Sequence, residues 1–135
     1  MDMYDIAAIL GGIGVMIYAL VLATGAGISR HGLWRLPAIA CAALFAWSLY
    51  AIATEGPTGF WPEHTRHAWG NQIWFDLLLA ASVALAFLVP QARKLGMRPL
   101  PWVILVIFTG SIGLLAMTSR VMYLREGIAD AEAVR

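Results

Sequence analysis

The sequence predicts an all-α fold: a single-domain integral membrane protein whose four transmembrane helices form an antiparallel bundle. Three observations carry this. Hydrophobic residues make up 61% of the 135 and charged residues only 13%, against roughly 45–50% and about 25% in an ordinary soluble domain. Mean hydropathy is +0.75, and a small domain in water hides only about two-thirds of the surface its unfolded chain exposes. The apolar residues also gather into four runs, each close to the ~20 residues a spanning helix needs.

The first run is Tyr4–Ile28. The preceding MDMYD lacks a basic leader and the run exceeds a signal core, so it is expected to be a retained span. Small residues recur four apart in it, Ala7 with Gly11, Ala8 with Gly12 and Ala23 with Gly27, a spacing that lets helices approach closely in lipid. The second run, Leu36–Thr54, is rich in alanine and opens with Pro37 in its first turn, where a missing N–H costs little. It holds the one cysteine, Cys41, expected to be a small buried thiol. It also carries Trp47 with Phe45 and Tyr50.

The third run, Gly70–Val89, contains Asn71, Gln72, Trp74 and Asp76 near its start. The fourth, Pro101–Met122, has Gly110, Ser111 and Gly113 near its middle and Arg120 near its end. A polar tail, residues 123–135, follows. The connections SRHGLWR, EGPTGFWPEHTRHAW and PQARKLGMRPL have the Gly, Pro and charge content of loops. Trp34, Trp61, Trp69 and Trp102 fall at span ends or in loops, where an aromatic belt lies.

Four crossings put both termini and the middle loop on one side. The first and third loops carry Arg30, Arg35, Arg93, Lys94 and Arg98 and no acid, while the other side carries Arg66, Arg120, Arg125 and Arg135 among acids. Counting Lys and Arg alone places the termini outside the cytoplasm of a bacterial inner membrane.

Asp76 is the one acid well inside a run. A charge at the bilayer centre costs at least ~2.5–3.5 kcal/mol, less near the interface. Pairing with Arg120 on an antiparallel neighbour is the expected solution. Two other roles stay open: Asp76 as a proton or cation carrier, and Asn71, Gln72 and Asp76 as a polar ligand rim. Trp47, Tyr50 and Trp74 are candidate contacts for a ligand or partner, since a buried indole wants an acceptor for its N–H.

His64 and His67, three apart in the middle loop, have no further ligands in sequence and read as solvated loop residues. No metal site is expected. All three histidines lie outside the runs, which disfavours a bis-histidine haem supplied by this chain. No GxSxG, P-loop, CxxC pair, HExxH or carboxylate dyad occurs, so no catalytic residues are assigned. A net charge of +1 gives no pull toward nucleic acid.

The second half resembles a family of small bacterial membrane proteins classified as a domain of unknown function. The likeness rests on Asn71 and Asp76 in one span, the ARKLGMR turn at residues 92–98, and the Tyr123–Glu126 end motif, over about residues 70–126. It implies a small multi-span protein without assigned chemistry. A weaker likeness is to compact membrane terpene cyclases, which place acids near a lipid-accessible cavity, a chemistry that one intramembrane carboxylate matches poorly. Small multidrug exporters share the size, but carry an acid inside the first span, where this chain has none beyond Asp5.

The leading functional expectation is a non-catalytic accessory or assembly subunit of a larger membrane complex, electron-transfer or photosynthetic. Its partners would be membrane lipids and other transmembrane proteins, or further copies of itself. It would hold no cofactor of its own but could contact lipid, quinone or pigment of its host. The alternatives are a small ion-coupled carrier using Asp76, and a lipid- or isoprenoid-binding protein or enzyme with a pocket around Trp47, Trp74 and Asp76.

Overall fold

The computed structural model describes residues 2–24 and 31–133, apart from the Leu22 side chain. All regular structure among them is helical: α1 (Met3–Thr24), α2 (Arg35–Glu55), α3 (Phe60–Thr65), α4 (Ala68–Lys94), α5 (Pro99–Thr109) and α6 (Ser111–Ala133). The chain divides at Arg30 and His31 into two compact units.

The first unit is α1. Asp2 and Asp5 close its start reciprocally, the Asp5 N–H donating to Asp2 Oδ1 at 2.9 Å and the Asp2 N–H to Asp5 Oδ2 at 3.1 Å. This is a capping box with an acid at both positions, favoured by the positive end of the helix dipole. Residues Met3–Val21 are long and apolar enough to cross a membrane. The expected continuation to Ile28, with Gly27 and Arg30, lies outside the described residues.

In the second unit, Arg35–Glu55 and Ala68–Lys94 are likewise long and apolar enough to span. The 27 residues of α4 reach about 40 Å at 1.5 Å per residue. It starts at the His67 cap, whose Nδ1 accepts the Gly70 N–H at 3.1 Å. It also runs on past Pro90, where the sequence suggested a stop. Pro90 removes one helical hydrogen bond, and the turn beyond it is held by packing, because Ala92 is fully buried against Met117 and Val121. A Schellman closure then ends the helix. Met97 N–H reaches Ala92 O and Gly96 N–H reaches Arg93 O, both at 3.0 Å, while Gly96 takes φ +73° and Met97 packs on the core.

The fourth apolar run, expected to be one helix over Pro101–Met122, is two helices folded back on each other. Gly110 adopts φ 57° and ψ −121°, a combination open only to glycine. Just beyond it, a Cβ on Gly113 would stand 2.7 Å from the Val106 backbone. The glycines read in sequence as a packing face therefore make a turn and a close backbone approach. Trp102, near the start of α5, packs beside Met117, so the two helices run antiparallel as a hairpin. With 11 residues, α5 is about 16 Å long.

α6 is consequently the central helix of this unit, packed against α2, α4 and α5, while α2 and α4 do not meet. Its buried residues are Gly113, Met117, Ser119 and Val121. Leu85, Leu88, Val89, Leu95, Met97 and Trp102 close around Met117, Val121 and Ala92. Two polar contacts fix α2 antiparallel to α6. Ser119 Oγ donates to the Trp34 carbonyl at 2.9 Å, and Cys41 Sγ reaches Ile112 O at 3.5 Å.

Gly113→Ala is therefore expected to destabilise the fold by about 1–3 kcal/mol through overpacking. Gly127→Ala, on the same helix with open space around the added methyl, should be neutral or stabilising by up to ~1 kcal/mol. Denaturation in mild detergent, followed by circular dichroism, separates the two.

Candidate functional site

Among the described residues, an open groove lies between α2, α5 and α6, with a volume of about 470 Å³. Trp34, Ala38 and Cys41 line one wall, Ala116, Ser119, Arg120 and Tyr123 the other, and Trp102 the floor's edge. Spacings of four and three on the first wall, and of three, four and seven on the second, place each set on one helix face. The alanines open the groove by leaving out side-chain bulk.

Its outer end, the mouth, carries Arg120 and the rings of Trp34 and Tyr123, and Arg35, outside the lining, lies over one of those rings. Trp34 and Tyr123 meet edge to face, centroids 5.3 Å apart at 83°. The Arg35 guanidinium lies 5.7 Å from the Trp34 centroid, and that of Arg120 lies 5.5 Å from Tyr123. Among the described residues Arg66 pairs with Glu63, and the His31 imidazole lies within ion-pair distance of Glu126 and Asp130, a pairing that needs its protonated form. Neither Arg35 nor Arg120 has a carboxylate partner.

Beside the mouth, the segment before α2 is tied to the polar end of α6. The Gly32 N–H donates to both Glu126 oxygens, at 2.8 and 2.9 Å. His31 Nδ1 stands 3.3 Å from Glu126 and 3.6 Å from Asp130. These three side chains are the described group that could together hold a metal ion. Their present geometry is that of a tie between two chain segments, with Glu126 engaged by Gly32.

The pair expected between Asp76 and Arg120 is not formed. Asp76 is exposed and its Oδ1 accepts from Gln72 Nε2 at 3.2 Å, while Arg120 lies over Tyr123. The reason is the hairpin. It brings residues 117–121 of α6 beside Ala92 of α4, sixteen residues and roughly 24 Å beyond Asp76. Asn71 and Gln72 are exposed beside Asp76.

The candidate aromatics also part company. Trp47 and Tyr50 adjoin each other on α2, centroids 5.6 Å apart. Trp74 belongs to a cluster with Phe60, Trp61 and His64 that seats α3 on α4, the His64 ring 5.1 Å away. Among the described residues α2 and α4 do not meet, so Trp47 is not brought to Trp74 and Asp76. His64 and His67 have structural partners, the Phe60 carbonyl at 2.6 Å and the Gly70 N–H. Cys41 is only half-buried and lines the groove.

No family profile, no curated protein and no solved structure matches this chain.

A double-mutant cycle on Asp76→Asn and Arg120→Gln should give additive effects within about 0.5 kcal/mol, as for distant sites. Glu126→Ala leaves the Gly32 N–H without its acceptor and should cost about 1–3 kcal/mol. A coupling of 1 kcal/mol or more in the cycle would restore the pair.

Proposed function

We propose that this chain is an integral protein of a bacterial inner membrane that works by association, as a non-catalytic accessory or assembly subunit of a larger complex, an electron-transfer or photosynthetic one. The supporting observation is apolar surface that its own unit leaves uncovered. Within the spanning-length windows of α2 and α4, 6% and 0% of residues are buried. On α4, Phe75, Leu79, Val83 and Phe87 are 53–68% exposed and fall four apart, a continuous stripe on one face. A patch of this kind in water marks an interaction surface or an aggregation liability. In a bilayer it meets lipid tails and neighbouring helices.

A carrier role for Asp76 has less support. It lies eight residues into α4, about 12 Å along a helix some 40 Å long, with Asn71 and Gln72 beside it. That depth suits an interfacial rim better than a midplane ion site.

The hairpin also revises the expected topology. If α2 and α4 each cross once, α6 returns to the end where α2 begins and α4 stops. That end gathers Arg35, Arg93, Lys94, Arg98, Arg120 and Arg125, against Arg66 at the other. The positive-inside rule then puts it in the cytoplasm, together with the C-terminal tail.

Purification of the tagged protein from its own membranes in mild detergent is expected to yield a large complex of fixed stoichiometry; a small lone particle would sink the subunit reading. In a Cys41→Ala background, Asp130→Cys should be labelled from the same side as Lys94→Cys and from the side opposite Gly59→Cys. Labelling of positions 130 and 59 from one side would restore four full crossings.

A further inference from the structure

We infer that the groove between α2, α5 and α6 binds one phospholipid with an anionic headgroup, its phosphate at Arg120 and an acyl chain running inward past Ala38, Cys41 and Ala116. The inference rests on the membrane reading given above.

Charge is the first argument. Arg120 lines the groove and lies over Tyr123, Arg35 lies over the neighbouring Trp34 ring, and among the described residues neither guanidinium has a carboxylate partner. The nearby acids Glu126 and Asp130 are engaged by His31 and Gly32. A planar guanidinium suits a phosphate oxygen pair, and a neutral quinone head would leave both cations unanswered.

Shape and depth are the second. From Trp34 to Cys41 and from Tyr123 to Ala116 is seven residues on each wall, about 10 Å. The groove therefore begins at ring and cation level and continues inward over alanine and cysteine. A soluble phosphate would need no such apolar extension. The mouth also lies at the same end of the unit as Arg93, Lys94 and Arg98, the kind of basic end where pockets between spanning helices meet anionic lipid.

The test uses the full chain, delipidated in mild detergent and titrated separately with phosphatidylglycerol and phosphatidylcholine, with adducts read by native mass spectrometry. Wild type is expected to retain one phosphatidylglycerol per chain with at least a fivefold preference over phosphatidylcholine. Arg120→Gln should reduce that preference about fivefold, the equivalent of one basic residue near an anionic surface. Ala116→Leu, which fills the groove, should weaken retention of both lipids. Equal retention of the two lipids by wild type would overturn the proposal, and so would a preference unchanged by Arg120→Gln. Displacement by sn-glycerol 3-phosphate would make the mouth a soluble-anion site, and a lipid-free dimer would make the groove an interface between copies; either outcome overturns it. Should Arg120→Gln not accumulate, Arg35→Gln and the wild-type lipid preference decide the matter. A chain that stays monodisperse without detergent would sink the membrane reading itself, whereas a detergent-dependent chain without lipid preference sinks this site alone.

Discussion

The turn at Gly110 is the constraint on which the second unit depends. Without it, the residues after Pro101 would continue as one helix and carry Arg120 to the Asp76 end of α4. With it, α6 comes back along α5, and Trp102, Met117 and Val121 assemble a core with Ala92. Everything at the groove follows from that return. Ser119 meets the Trp34 carbonyl, Tyr123 meets the Trp34 ring, and Glu126 reaches Gly32. A Cβ at Gly113 would push the two helices apart at Val106, so the turn needs both glycines, one for its dihedrals and one for its closeness.

The core that results is small and sits near one end. Met117 and Ala92 are wholly buried and Val121 nearly so, and they hold α4 through the turn beyond Pro90. Away from this cluster the outer faces of α2 and α4 stay apolar and exposed. In water that distribution would be unfavourable. In the bilayer proposed here there is little hydrophobic drive between helices, and close packing with a few polar contacts is what holds them together. The hydroxyl of Ser119 and the thiol of Cys41, each aimed at a carbonyl across the α2–α6 seam, are contacts of that kind.

Much of the architecture was legible in the sequence. Apolar runs of spanning length became α1, α2 and α4 because hydropathy and length are local properties. Pro99 and Pro101 opened α5 for the same local reason. The fold-back was harder to see. Gly110, between Thr109 and Ser111, has the composition of a helix stop, but the same residues in an apolar run also read as a packing face. The Asp76–Arg120 pair then failed because it assumed the continuous helix that Gly110 breaks. The groove escaped for a different reason. Trp34, Trp102 and the Arg120–Tyr123 turn come from distant parts of the chain, and nothing local links them. Gly32 and Glu126, ninety-four positions apart, meet only once the hairpin has formed.

In the membrane setting proposed above, the turn would lie midway through the bilayer and would have to satisfy its backbone there. Irregular chain at that depth is tolerated only where protein or a water-filled cavity covers it. This turn satisfies part of the requirement itself. Gly110 N–H bonds Val106 O at 2.7 Å, Leu114 N–H bonds Gly110 O at 3.2 Å, the Thr109 hydroxyl returns to Leu105 O, and the Cys41 thiol takes up Ile112 O. The N–H groups of Ser111, Ile112 and Gly113, in the first turn of α6, have no acceptor within their own helix. Lipid tails offer them none. In that setting a neighbouring protein could supply both acceptors for the turn and cover for the stripe along α4, which is how the turn bears on the proposed subunit role.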